Sequence, residues 1–571
     1  MKKFYFAILA LISLLGLSHS IVVVNSQDAT DVASAIFYSN LLNEDSYILF
    51  PGYGMMSSVM LVPPNAPLTL VESSSNPAFH GVELMLQSRG NTISKISPSA
   101  TSINLELARR SGVKKFIITD PVYGYNVVST IAYAKQTKSY LIFANSTNMP
   151  EVRSFLSDSG AESILIYGQV DDEVRQEIAR LGVPTEEINN GDRYEDNIEL
   201  LEKYFQLNQT NSIMMADGSF LQAGINKGVF PVLLVSQIIP DRTYNYVLER
   251  VSSGKLVVAT LVGGELVDPV YDMMKRVNNN FPEKRFSVFV MFGQATGAGG
   301  EPGPLSVFPL PSPFADVSLD SASYNPTLGA FELVYTNRGN ALAYVQSNIV
   351  VLLDGQQIGT IGDEEKYIIK RGESKGVRYS FANPGEGQLS INDTTYYGVS
   401  RVSFDKGFVK YMDVGRISFV DQSSLLLSDA IYYPLEDKLM VKVRNNGEKD
   451  AFYRLSVAYV NDEGLTVYEE EQVRNLSAGR NEIITLTGVI QLPQEKADRT
   501  TMNATATYGA REAFLEKQAS TPVKIESFPW WILLILLLIL LIIAYWYYRK
   551  RKGEKKEEPK EEVVQKKKKA K

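Results

Sequence analysis

Between residues 21 and about 312, short apolar runs alternate with segments whose apolar residues recur every three or four positions. Ile21-Val-Val-Val-Asn-Ser-Gln-Asp is an apolar run ending in a polar turn. Phe116-Ile-Ile-Thr-Asp-Pro and Ser212-Ile-Met-Met-Ala-Asp-Gly repeat it, starting 95 and then 96 residues further on. Each run is followed by helical spacing and a second apolar run, at Tyr47-Ile-Leu-Phe, Tyr140-Leu-Ile-Phe and Val232-Leu-Leu-Val. Asp31, Asn126 and Gln222 align at the helix starts. Asp and Asn accept from the free N–H groups there, so Asp31 reads as a cap rather than a catalytic carboxylate. In the second half of the unit, Ser163-Ile-Leu-Ile-Tyr-Gly precedes Asp171, after which Val174, Ile178 and Leu181 share one helical face and Gly182 ends it. The segment from Lys255 to Tyr271 repeats that plan. Apolar strands alternating with amphipathic helices predict an α/β fold with mostly parallel sheets, in three repeats at about 21–112, 113–211 and 212–312.

The period then changes. Residues 294–314 are rich in Gly and Pro and read as a domain edge; they lack the Lys-Ser/Thr pair and the glycine spacing of phosphate-binding loops. Beyond them apolar residues alternate. Phe331-Glu-Leu-Val-Tyr-Thr runs into Asn337-Arg338-Gly339-Asn340. Leu439-Met-Val-Lys-Val-Arg runs into Asn445-Asn446-Gly447-Glu448, 108 residues later. Asp354-Gly355 and Asn461 to Gly464 mark further hairpins. The spacing predicts two all-β sandwiches, at 313–412 and 413–525.

The ends add an expectation about membranes. Lys2 and Lys3, the apolar run Phe4 to Leu17 and Ser18-His19-Ser20 match a signal peptide over 1–20. Phe528 to Tyr548 is 21 residues without a charge, flanked by Trp530, Trp531 and Tyr545 to Tyr548 and followed by Arg549 to Lys552. A single transmembrane helix at 528–548 is therefore expected, with the lipid bilayer as partner, the bulk outside and a basic tail, 549–571, in the cytoplasm. The expected fold class is multidomain: α/β repeats with mostly parallel sheets, two immunoglobulin-like sandwiches and that helix.

Composition narrows the chemistry. The 571 residues hold 57 Lys+Arg and 64 Asp+Glu. The tail carries 12 basic and 5 acidic residues, and Lys2 and Lys3 add two positive charges, so the net −7 leaves −16 on the rest. Such a body is a poor nucleic-acid binder. With no Cys, and His19 and His80 as the only histidines, thiolate and multi-histidine metal sites are excluded; no metal, cofactor or catalytic residue is expected. Asn145, Asn208, Asn392, Asn475 and Asn503 are candidate N-glycosylation sites of an exported chain.

The string Gly191-Asp192-Arg193-Tyr194-Glu195-Asp196-Asn197 resembles the signature of the cell-wall-binding repeat type 2 family, as do Leu165-Ile-Tyr-Gly before it and Val22 to Ala35. The string occurs once; Ser99-Ala100-Thr101 stands at the matching place in the first repeat. The resemblance implies a three-lobed assembly holding surface proteins onto anionic envelope polymers. It makes Asp192, Arg193 and Tyr194 the candidate ligand-binding residues. Arg can fork onto a carboxylate or phosphate, and Tyr can stack on a sugar; a structural Arg–Asp pair closing the loop is the alternative. Residues 316–525 resemble CARDB-like immunoglobulin domains, and the whole resembles archaeal surface-layer-type proteins. The function expected is that of a non-catalytic, membrane-anchored cell-surface protein binding envelope glycopolymer or surface-layer proteins. Two alternatives stand: an enzyme on surface polysaccharide using Asp28 with Asp31 or Asp171 with Asp172, and a solute receptor with a cleft between lobes.

Overall fold

The computed structural model describes residues 21–51, 55–291, 307–461, 464–469, 473–487, 490, 501–526 and 538–548. The first lobe of the head runs β1 (Ile21–Asn25), α1 (Ala29–Leu42), β2 (Ser46–Ile48), α2 (Met55–Leu61), β3 (Pro67–Glu72), α3 (Val82–Ser88), β4 (Thr92–Ile96) and α4 (Ile103–Ser111). The second runs β5 (Lys115–Thr119), α5 (Tyr125–Thr137), β6 (Tyr140–Phe143), α6 (Met149–Ser159), β7 (Ser163–Tyr167), α7 (Asp172–Ala179), β8 (Thr185–Ile188) and α8 (Arg193–Leu207). The third runs β9 (Ser212–Ala216), β10 (Phe220–Gln222), α9 (Ala223–Asn226), β11 (Val232–Leu234), α10 (Asp241–Ser252), β12 (Val258–Val262), α11 (Val267–Asn280) and β13 (Ser287–Met291).

Each lobe holds a four-stranded parallel sheet with one strand order: β2-β1-β3-β4, β6-β5-β7-β8 and β11-β9-β12-β13. Helices cover both faces, so the leading strands β1, β5 and β9 are buried from their second residue on, which is why they read as unbroken apolar runs. One apolar core crosses all three lobes, with Val22 and Ile36 from the first, Ile117 and Ile142 from the second, and Met214 and Val232 from the third.

The lobes are joined through their sheet edges. Asn104 on α4 donates to Leu141 O at 2.9 Å and accepts from Phe143 N at 3.2 Å. Asn197 on α8 donates to Val232 O at 2.9 Å and accepts from Leu234 N at 2.8 Å. β6 and β11 are edge strands, and each buried amide stands in for one more residue of a neighbouring strand. Backbone groups that burial would otherwise orphan are thereby paired.

The caps differ from expectation, by about one turn at α1. Asp28, not Asp31, caps α1, accepting from Thr30 N at 2.7 Å, while Asp31 accepts from Ser26 Oγ at 2.8 Å. Asn126 donates to Thr119 Oγ1 instead of capping α5, and Gln222 precedes α9 without a side-chain bond.

From β14 (Val307–Pro309), which pairs antiparallel with β10, the chain enters the first sandwich. Its strands run from Val317–Asn325 to Lys406–Arg416; the last crosses the boundary drawn at 412/413 from sequence. The second sandwich begins at Leu425–Tyr433. The two Asn-x-Gly turns are equivalent: Asn337 and Asn445 each accept from the glycine N–H two residues on at 2.9 Å. Each also donates four residues on, to Ala341 O and Lys449 O, at 2.8 Å. A Cβ at Gly339 or Gly447 would meet a backbone oxygen at 2.3 or 2.4 Å, so the turn admits only glycine. The sandwiches are tied by Glu373–Arg454 at 2.9 Å and by buried Glu332, which receives Arg378 and Arg511.

The expected membrane span is overturned. No helix among the described residues is long and apolar enough to cross a membrane. Residues 538–548 are helical, about 16 Å of rise, roughly half of a hydrocarbon core; 528–537 lie outside the described residues, as do 1–20 and 549–571. An apolar run satisfies the side chains in lipid, but a span also needs backbone hydrogen bonds over the full thickness. The fold is thus α/β repeats followed by sandwich-like sheets, and the single-pass localisation is not retained.

Asn104→Ala and Asn197→Ala should each lower the unfolding free energy by about 2–4 kcal/mol, because each leaves a buried N–H and C=O unpaired. An exposed control, Asn475→Ala, should change it by less than about 0.5 kcal/mol. Urea denaturation tests this; losses no larger than the control's would refute the edge-pairing role.

Candidate functional site

The loop before α8 is built tightly. Gly191 has φ +75°, where a side chain is disfavoured, and a Cβ there would meet Tyr344 Oη at 3.0 Å. Asp192 is the N-cap: its Oδ1 accepts from Tyr194 N at 3.0 Å and Glu195 N at 3.2 Å. Its Oδ2 accepts from Ser400 Oγ of the first sandwich at 2.7 Å. Arg401 N donates to Gly191 O at 2.8 Å alongside. Asp192 is therefore a cap and a bridge, and no Arg193–Asp192 pair is present among the described residues.

Arg193 turns the other way. Its guanidinium lies over the rings of Tyr194 at 4.7 Å and Tyr125 at 5.5 Å and donates to the Tyr194 hydroxyl. It makes no ion pair among the described residues. Tyr125 opens α5 and packs edge-on to Tyr123, 5.9 Å between centroids. Its hydroxyl has no hydrogen-bond partner among the described residues, and burial pushes its pKa well above 10. Gly218 makes this packing possible, since a Cβ there would stand 2.6 Å from Tyr125 Cβ.

These side chains line a cleft of about 910 Å³. One wall is the start of α8. The second is formed by the segments leaving the carboxyl ends of three parallel strands: Asp217 after β9, Ser236 after β11 and Glu265 after β12. Ligands of open α/β sheets bind at such ends. The third wall is the sandwich loop from Val399 to Asp405, with Pro311 to Pro313 closing the back. Arg242 pairs with Glu195 at 2.6 Å at the rim.

A second set of contacts fixes the sandwich wall to the second lobe. Arg371, in the Arg371-Gly-Glu-Ser374 turn, pairs with Asp171 and reaches Asp120 at 3.6 Å. Lys370 pairs with Asp172 at 2.9 Å. Burial pulls the Asp172 carboxyl upward, but Lys370 and Arg175 hold it below the usual carboxylate range. Gly124 N donates to Pro311 O at 3.1 Å, and any Cβ on Gly124 would overlap that oxygen.

The candidate ligand residues Asp192, Arg193 and Tyr194 thus meet in one cleft with divided roles. The acidic pairs weighed for catalysis lie elsewhere: Asp28 and Asp31 at α1, Asp171 and Asp172 in the clamp. His80 is exposed and is not part of the cleft. Sequence reading missed Tyr125, Asp217, Glu265, Asp241, Ser400 and Asp405. A polar residue directly after a buried parallel strand was the available signal, met by Asp217. Of the sequons, Asn475 and Asn503 are exposed. Asn145 is half-buried and accepts from Thr147 N at 3.0 Å and Asn148 N at 3.1 Å. Asn208 donates to Tyr204 Oη, and Asn392 lies half-buried within a strand.

No protein-family model and no curated protein matches the chain. Among solved structures, the chain is similar to Cwp8 from Clostridium difficile, at 13% identity and a TM-score of 0.36, over 46% of this chain and 48% of that one. The chain thus matches about half of Cwp8's length. It is also similar to the CsuC–CsuE chaperone–tip adhesion subunit complex of Acinetobacter baumannii, at 14% identity and TM-score 0.14, over 37% of this chain and 99% of that one. Red sea bream transglutaminase aligns at 7% identity and TM-score 0.13, over 38% and 31%. Likeness at this level carries no statement of function.

Three head carboxyls are pushed up chiefly by burial: Asp31 and Asp120 to about 6 and Asp196 to about 7. A group whose folded pKa is raised contributes stability below its unfolded value that is lost as pH rises through the folded one. The fold should therefore lose stability between about pH 4 and pH 7. Asp196→Asn, which keeps an acceptor for Asn190 N, should recover roughly 2–4 kcal/mol at neutral pH and flatten the profile. Thermal melts across that range test it; an unchanged pH slope in the variant would rule out Asp196 as the source.

Proposed function

We propose that this is a surface-associated binding protein whose three-lobed head takes a saccharide of an envelope glycopolymer in the cleft, with the sandwiches as a stalk. The observation that carries the reading is Arg193, held over two tyrosine rings in a cleft of about 910 Å³ with no carboxylate paired to it. A volume of that order suits a short oligosaccharide or another small organic ligand. Tyrosine rings offer sugar C–H faces an apolar surface, while Arg193 and the free Tyr125 hydroxyl donate to sugar oxygens.

The exposed sequons Asn475 and Asn503, both in the second sandwich, fit a stalk kept soluble by glycans. The solute-receptor alternative uses the same cleft and differs only in the length of the ligand.

Titration of the full chain against neutral, acidic and amino oligosaccharides by calorimetry tests the proposal. At least one class should bind, and Arg193→Ala should weaken it by at least about tenfold, as expected for the loss of one charged hydrogen-bonding group, with the melting temperature retained. Tyr125→Phe should weaken it less. Absence of binding by all three classes, or binding indifferent to Arg193→Ala, would overturn the proposal.

A further inference from the structure

We infer that the cleft selects an amine-bearing sugar, one with a free, protonated amino group, over acidic and N-acylated sugars; this rests on the saccharide reading above. Among the described residues the cleft is lined by the acidic Asp192, Glu195, Asp217, Asp241, Glu265 and Asp405 and by the basic Arg193 and Arg242, an excess of four negative charges.

These carboxylates are not equally engaged. Asp192 sits on the N-terminal amides of α8, Glu195 is paired with Arg242, and Asp217 accepts from Ser219 N at 2.8 Å and Ser219 Oγ at 2.7 Å. Asp241, Glu265 and Asp405 make no hydrogen bond or ion pair among the described residues. They stand on three separate segments around the opening: the start of α10, the turn after β12 and the sandwich loop. Among the described residues no three acidic or histidine side chains converge closely enough to hold a metal ion, so the counter-charge these walls suit is that of an organic cation.

The acidity alone would not define a site. In the same cleft the half-buried Tyr125 hydroxyl has no hydrogen-bond partner and Arg193 beside it has no ion pair among the described residues, so both can be engaged by a ligand. Together they suit a ligand with oxygen acceptors beside Arg193 and Tyr125 and positive charge beside the exposed Asp241 and Glu265. An acidic sugar would meet the same walls as like charge, so the anionic polymer implied by the family resemblance is disfavoured here.

The test compares three tetrasaccharides on the full chain at mildly acidic pH: β-1,4-linked glucosamine, its fully N-acetylated form, and galacturonate. The free-amine tetramer should bind at least about tenfold more tightly than the N-acetylated one, and that margin should shrink as salt rises. In an Asp241→Asn/Glu265→Gln variant the two should bind alike, since both residues are exposed and the change is isosteric. Equal binding of both forms by the native chain, or tighter binding of galacturonate, overturns the charge selection and leaves the saccharide reading standing. Binding of none of the three overturns both.

Discussion

The head depends on one exchange repeated twice: a buried asparagine amide giving and taking a hydrogen bond with the edge strand of the next lobe. A parallel sheet of four strands ends in unpaired N–H and C=O groups, and helices on both faces do not reach them. Asn104 and Asn197 meet that need at the two lobe junctions. Because the amide comes from the preceding lobe, the β6 and β11 edges are completed only when that lobe has docked. The shared apolar core then follows, since α1 and α5 lie against the strands so paired. In the third lobe Asn278 on α11 makes the same exchange within its own lobe, with the backbone of Phe286 directly before the edge strand β13.

That arrangement places the cleft. Asn197 holds α8 against β11, which brings the N-terminal end of α8 to the carboxyl ends of the third lobe's strands. Arg193 and Tyr194 therefore face Asp217 and Glu265 across a gap instead of being covered by their own lobe. The sandwich supplies the remaining wall, and Ser400 meets the carboxylate that caps the helix. One residue, Asp192, thus starts the helix and seats the wall.

What was legible in the sequence was what is locally determined. The leading strands showed because burial on both faces leaves no polar alternation, and the Asn-x-Gly turns showed because each asparagine bonds within its own loop. The Asp192-Arg193-Tyr194 string stood out as a unit, yet its members divide between a cap and a cleft wall. Asn104 was passed over because its partners lie 37 and 39 residues away in another lobe. Beyond that string the cleft could not be read: Tyr125, Asp217, Glu265 and Asp405 belong to four segments brought together only by tertiary packing. The cap of α1 was misplaced because Asp28 and Asp31 both fit a helix start, and helix ends are the least determined part of the pattern. The apolar segment near the C-terminus was read from hydropathy alone, and no helix among the described residues is long and apolar enough to cross a membrane.

The first sandwich leaves the third lobe covalently, through β14, but is bolted to the second by Arg371, Lys370 and Ser400. The three bodies therefore form a triangle of mutually braced joints, each joint fixed by the other two, as in a truss. Among the described residues each of the three joints carries its own hydrogen bonds or ion pairs. A load applied along the sandwiches would be met by both a strand pairing and a set of ion pairs, with the cleft lying between the two.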